Sequence, residues 1–213
     1  MADNYLEKKM EEWREKPSAK QPVRIGALSR LISKNRSHRG YDPRFKVRRD
    51  QLLRIIEVNS RIPSARNGQV LRFRAVVEEE ANKVLPHIRL GGALPHLHLP
   101  LEGEEPRAFI VICSTVEEDR YVSIDIGISA QTMLLQAVEI GLNGICIGAF
   151  DHKAVREALQ LPYPPALILA IGKGTDKIEL RPIKASEPHA YYREGGIHYV
   201  PKLTLEELLI DPK

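Results

Sequence analysis

Apolar and polar positions sort this chain into stretches with a helical period and stretches that alternate or run apolar throughout. The heaviest block is 122–151, VSIDIGISAQTMLLQAVEIGLNGICIGAFD. From Ile124 to Leu142 its polar residues (Asp125, Ser129, Gln131, Gln136, Glu139) are scattered among Ile, Met, Leu, Val and Ala. No broad charged face remains, so a helix here is expected to be buried nearly all round. Gly141 and Asn143-Gly144 stop it, and Ile145-Cys146-Ile147 reads as a short buried strand ending in Gly148-Ala149.

Upstream, residues 4–16 place Leu6, Met10 and Trp13 on one narrow stripe of an amphipathic helix, and Ala27 to Lys34 reads as a second short helix with Leu28, Leu31 and Ile32 on one side. Asp50 is the expected N-cap of a helix over 51–59, with Leu52, Ile55 and Ile56 facing a core. Residues 70–77, VLRFRAVV, alternate as a strand, and 78–86 starts a further helix. Arg107 to Ser114, RAFIVICS, is continuously apolar, the pattern of a strand covered on both faces. An Asp-capped helix is expected over 151–160 and a strand over Ala166 to Ile171, ended by Gly172. A turn-rich loop spans Glu187 to Gly196; the strand Ile197 to Lys202 follows, then a helical turn with Thr204 and Glu207 at capping-box spacing. This order of helices and strands predicts an α/β (α+β) chain with helices on both sides of one sheet.

Composition narrows the class. In 213 residues, a hydrophobic fraction of 43% and a charged fraction of 28% are ordinary for a globular protein. Charges inside the apolar block argue against a membrane span, and the mixed charge of the first residues predicts no signal peptide. Cys113 and Cys146 both sit in strand-like apolar runs, which predicts core thiols in a reducing compartment, with cytoplasm the expected location. The net charge of +4 conceals an asymmetry: residues 1–74 hold 19 Lys/Arg against 8 Asp/Glu, and the remainder holds 13 against 20. The basic third calls for an anionic ligand or an acidic surface, with nucleic acid and a phosphorylated cofactor as the candidate anions. Its arginines are not interleaved with aromatics, which counts against nucleic acid.

Three polar stretches carry candidate chemistry. Arg36-Ser37-His38-Arg39 sets two guanidinium forks and a hydroxyl where they can close on one small anion, although such strings are commonly solvated. Pro63-Ser64-Ala65-Arg66-Asn67-Gly68-Gln69 offers amides and carboxamides to a flat ligand rich in carbonyl and imide groups, or is an ordinary helix-to-strand connection. In Pro95-His96-Leu97-His98, two histidines would share a side of an extended chain, but no Cys or Glu stands at metal-ligand spacing, and a mobile loop over a pocket is the preferred reading.

Read together, Arg36-Ser37-His38-Arg39, Pro63 to Gln69, and Asp125-Ile126-Gly127 through Gly141-Leu142-Asn143-Gly144-Ile145-Cys146-Ile147-Gly148-Ala149-Phe150 resemble the successive signatures of the FMN-dependent nitroreductase family. The resemblance runs from about residue 30 to the end, and the IHYVPK tail belongs to it. It implies a three-layer α-β-α sandwich with a mixed, largely antiparallel central sheet in an intertwined homodimer, with residues 1–34 as a helical arm and 35–213 as the FMN-binding domain. It also implies roles. Arg36, Ser37 and Arg39 would grip the FMN phosphate and part of the ring system. Pro63, Ser64 and Ala65 would supply backbone contacts across the subunit interface, with polar contacts from Asn67 and Gln69. The segment Ile147, Gly148 and Ala149 would present backbone N–H to flavin N5, and Lys202 would add a phosphate contact.

Two departures bear on this. Gly148 stands where an acidic residue is frequent, leaving only a backbone role. Leu203 and Thr204 stand where a second basic residue is frequent. The implied activity is ping-pong hydride transfer from NADH or NADPH to a small-molecule electron acceptor such as a nitroaromatic or quinone. The chemistry is flavin-borne, so no protein acid or base, no metal, no nucleic acid and no membrane is expected. The alternatives are a flavin-sequestering protein without brisk turnover and a specialised branch such as a reductive dehalogenase.

Overall fold

The structure is a computed structural model and describes residues 26–92 and 94–210. The expected helix over 4–16, with Leu6, Met10 and Trp13, lies outside the described residues. By compactness the chain divides into Met1–Arg30 and Leu31–Lys213.

The larger unit is built on a four-stranded antiparallel sheet in the order β1-β2-β4-β3, from β1 (Leu71–Val76), β2 (Phe109–Ser114), β3 (Asn143–Ile147) and β4 (Pro165–Gly172). β2 is buried at all six positions, as its unbroken apolar run predicts. Its alternation feeds two cores. Ile110 and Ile112 point to one, with Leu52 and Ile55 of α2 (Arg49–Glu57) and Ile126, Met133 and Ala137 of α3 (Arg120–Glu139). Phe109, Val111 and Cys113 point to the other, with Val84 and with Val155 of α4 (His152–Ala158). Helices therefore cover both faces of the sheet, the three-layer α-β-α arrangement expected of the chain. The parallel component of the sheet system lies apart, in a second sheet of order β5-β7-β6. There β5 (Lys177–Ile183) pairs parallel with β7 (Ile197–Leu203), and β6 (Tyr192–Glu194) pairs antiparallel with it.

Several expectations are corrected. α1 (Ala27–Lys34) has the expected bounds but buries no residue, and Leu28 and Ile32 are exposed. α2 starts after Arg48, whose N–H donates to Gln51 Oε1 at 3.0 Å; Asp50 lies in the first turn, where it accepts from the Arg48 guanidinium. Residues 78–87 form short 3₁₀ turns and not an α-helix. Pro95–Leu97 is a 3₁₀ turn and His98 takes φ 45°, so His96 and His98 do not alternate along an extended chain. Cys146 is exposed, not a core thiol, whereas Cys113 is buried. Glu207 accepts from Ala185 N–H at 3.2 Å and closes no capping box with Thr204, which opens α5 (Leu205–Leu208).

α3 is capped by Asp119, which accepts from Val122 N–H at 2.8 Å. It is not buried all round. Val122, Asp125, Ile126, Ser129, Met133 and Ala137 face inward, while Tyr121 and Ile124 are about half exposed at 50% and 47%.

Candidate functional site

The first candidate cluster is assembled by the segment that leaves α1. Ser37 forms a parallel bridge with Gly144 at the start of β3, and His38 N–H donates to Gly144 O at 3.3 Å. Three residues on, Tyr41 N–H donates to Glu104 O and Asp42 N–H to Lys173 O, and the buried Tyr41 ring lies against Gly172. The 36–42 segment is thereby stitched to the ends of β3 and β4. Asp176, in the connection from β4 to β5, fixes its centre. The Oδ2 atom accepts from the N–H of Arg39 at 2.6 Å and of Gly40 at 3.0 Å, while Oδ1 accepts from Arg193 of β6. That carboxylate side chain is only 3% exposed.

Arg36 folds back on α1, donating from Nη2 to Ile32 O at 2.8 Å and from Nε to Asn35 O at 2.5 Å, which occupies the helix's terminal carbonyls. Arg39 lies over the Tyr191 ring, 4.4 Å from its centroid, and donates to Ser37 O at 3.1 Å. The same guanidinium meets His198 Nε2 at 3.2 Å. A guanidinium has only donors, so His198 accepts there and is the neutral tautomer protonated on Nδ1. Burial first and the neighbouring Arg39 charge second hold its pKa below the ordinary imidazole value. His38 is lowered too, mainly by burial and also by Arg39, with Asp176 opposing.

Between these side chains opens a cavity of about 380 Å³. Arg36, Ser37, Arg39 and Lys202 line it together, so four of the expected site residues converge, with Gln131 of α3 and Cys146 of β3 on other walls. Among the described residues, its lining contains three cations and no Asp or Glu. The Arg39 Nε is buried without a hydrogen-bond partner. A buried guanidinium donor beside a carboxylate-free cationic cavity suits an anionic group such as a phosphate, and the donor set fits FMN in that respect.

Of the second cluster, Pro63, Ser64 and Gln69 line a different cavity of about 140 Å³ with Asn59 and Asp125, whereas Ala65 and Asn67 lie outside its lining. Ala65 N–H donates to Asp125 Oδ1 at 2.8 Å, Asn67 N–H to Ser64 O at 3.0 Å and Gln69 N–H to Ser64 Oγ at 3.2 Å. The carboxamides of Asn67 and Gln69 bond each other, Nε2 to Oδ1, at 3.2 Å.

The third group follows β3. The Ile147 side chain is 2% exposed and packs in the core, so only its backbone can reach a ligand. Gly148 and Ala149 are exposed; nothing stands within 4 Å of where a Cβ on Gly148 would lie, and Ala149 O accepts from Arg89 N–H at 2.9 Å. Cys146 and Gly148, two residues apart, fall on one side of an extended backbone, the side on which Cys146 meets the larger cavity. Within one chain, then, the phosphate-type residues converge, and the 63–69 loop borders a cavity of its own.

Tyr191, His198, Asp176 and Arg193 were not singled out in the sequence. His198 stands inside the IHYVPK tail, the only local signal for any of them. Asp176 and Arg193 are 17 residues apart and meet only in the fold.

Comparison with known proteins yields concordant likenesses. Residues 105–173 match the family model described as the Nitroreductase family. A protein of Methanocaldococcus jannaschii assigned as a nitroreductase is 35% identical over 54 residues, 25% of this chain and 27% of that protein; the match thus spans about a quarter of the relative's length. A solved nitroreductase family protein from Clostridium difficile 630 is similar with a TM-score of 0.55 at 25% identity, covering 68% of this chain and 83% of its own. A nitroreductase from Sphigopyxis sp. strain HMH, described as FMN- and NADPH-dependent, is similar with a TM-score of 0.59 at 20% identity, covering 70% and 89%.

Proposed function

We propose that the chain is a member of the nitroreductase family, a reading supported by its 105–173 segment and by its fold, and that it is an FMN-dependent oxidoreductase. It uses NADH or NADPH to reduce a small electrophilic acceptor, of nitroaromatic or quinone type. The observation that carries the reading is the convergence of Arg36, Ser37, Arg39 and Lys202 on one cavity without a carboxylate. Bound FMN would supply the hydride-transfer chemistry between nicotinamide and acceptor, in ping-pong order.

This chain's own residues bind and orient. Arg36, Arg39 and Lys202 provide positive charge, and Ser37 a hydroxyl, for the phosphate and the neighbouring ring edge. His198, neutral and packed on Tyr191, accepts from Arg39 and fixes the direction of its guanidinium. Pro63, Ser64, Ala65, Asn67 and Gln69 provide amide and carboxamide contacts. Backbone N–H groups at Ile147, Gly148 and Ala149 would address N5. The protein donates or removes no proton from the reacting centre.

A homodimer with the 1–34 arm ahead of the 35–213 domain completes the reading, supported by the family and by the apolar residues that α3 leaves exposed. No helix among the described residues is long and apolar enough to cross a membrane, and a cytoplasmic location is part of the proposal. The test is the absorption spectrum of the purified protein. Flavin bands that bleach on adding NAD(P)H under anaerobic conditions and return with a quinone support the enzyme. Bands that never bleach favour a flavin-sequestering protein, and a colourless protein that takes up no FMN refutes both.

A further inference from the structure

We propose that Asp125 is a positioning residue which, with Ser129 one turn later on α3, latches the 59–69 segment and holds the Pro63–Gln69 loop in a strained shape. Its functional consequence rests on the reading of that loop as a cofactor contact.

Three of the loop's non-glycine residues, Arg66, Asn67 and Gln69, have φ of 53°, 53° and 50°. That left-handed region costs energy for residues with a Cβ, and a run of such residues persists only where surrounding contacts over-determine it. Asp125 provides such a contact. Its residue is 5% exposed, and Oδ1 accepts from Ala65 N–H across 60 positions of sequence. A carboxylate taken this far from water is unfavourable unless its hydrogen bonds are made. Ser129, 1% exposed, donates from Oγ to Asn59 Oδ1 at 2.5 Å, and Asn59 in turn donates to Ile56 O at 2.8 Å. Spacing of four residues puts Asp125 and Ser129 on one face of the helix. One helix face therefore grips the connection at two points, Asn59 and Ala65, and Ser64 closes the turn between Ala65 and Gln69.

The test compares Asp125→Ala, Asp125→Asn and Ser129→Ala in the full-length protein. Two readouts are taken: amide hydrogen exchange over residues 59–69 without added FMN, and FMN affinity by fluorescence titration. Asp125→Ala is expected to speed exchange of the loop amides at least about tenfold and weaken FMN about tenfold, the order expected for one charge-assisted bond. Asp125→Asn keeps a carbonyl oxygen for Ala65 N–H and is expected to restore both to within about threefold. Exchange in Asp125→Ala that matches the wild type overturns the latch. Equal damage in Asp125→Asn overturns the acceptor role. Faster exchange with FMN affinity retained leaves the latch standing and overturns the loop's part in cofactor binding. Should Asp125→Ala not fold, Ser129→Ala carries the test: faster exchange across 59–64 supports the two-point latch, and unchanged exchange overturns it.

Discussion

Removing the Asp176 carboxylate should be among the most damaging single changes in this fold that leave the hydrophobic core intact. One buried side chain accepts from two backbone N–H groups, Arg39 and Gly40, and from the half-buried Arg193 guanidinium. Asp176→Ala leaves Arg193 without its carboxylate, and breaking a buried ion pair from one side costs about 3–5 kcal/mol. The two orphaned amides each stand to lose about 1.5–3 kcal/mol as bonds to a charged acceptor. These costs share one carboxylate and do not add, because water can enter the space and serve more than one donor. The expected loss is about 4 kcal/mol, a large part of the ~5–15 kcal/mol typical of a domain. Asp176→Asn keeps an oxygen for the two amides but turns an uncharged group to Arg193, and should cost about 2 kcal/mol. Urea unfolding followed by far-UV circular dichroism measures both, provided the slope is unchanged between variants. A loss below about 1 kcal/mol for Asp176→Ala would refute the reasoning, since it would mean that the segment 38–40 is held by something other than this carboxylate.

Three further outcomes follow from the geometry. Arg36→Ala combined with Lys202→Ala takes two of three cations from the larger cavity and should weaken FMN at least about a hundredfold in equilibrium titration; unchanged retention sinks the phosphate assignment. A methyl at Gly144 would stand 2.6 Å from Leu134 Cδ2 and 2.7 Å from Ala170 O, so Gly144→Ala should cost about 1–3 kcal/mol in urea unfolding, as overpacking does, and a neutral result would contradict the packing. His198 is held neutral, with its folded pKa below the unfolded value of about 6.5; its stabilisation is complete above that value and is lost as pH falls below it toward the lowered folded pKa. The wild type should therefore lose more stability than His198→Gln between about pH 7 and about pH 5, and parallel pH profiles would contradict the assignment.

The sheet was legible because β2 is buried on both faces, β4 nearly so, and β1 alternates. In β2 every residue is apolar or small, so no register or partner needs to be known to recognise it. β5 and β6 were not legible. β5, KIELRPI, leaves most positions exposed and carries Pro182, and its partner β7 begins 14 residues after it ends. Pro201 is tolerated in β7 because β6 pairs only with positions 197–199, leaving an open edge there. The start of α2 shows the limits of cap rules. Asp50 has the right chemistry for a cap, but Gln51 captures Arg48 N–H and the helix begins two residues earlier.

The candidate site divides along the same line between local and non-local information. Arg36, Ser37 and Arg39 are neighbours in sequence, and Lys202 joins them because β7 runs beside the cavity, so the cation cluster follows from short motifs once the sheet exists. Asp176, Arg193 and His198, which set the direction of Arg39, come from three separate elements and have no motif of their own. α3 joins the two kinds of information. Its weak amphipathicity was read as burial on all sides, yet one sheet covers only one side of a helix. The inward side is spent on the core and on the polar contacts of Asp125 and Ser129, while Tyr121 and Ile124 remain about half exposed. An apolar sequence states that water is excluded; it does not state which surface excludes it. For α3 that difference is the one between its inward face, where Asp125 accepts from Ala65 N–H, and Tyr121 and Ile124, which the described residues leave about half exposed.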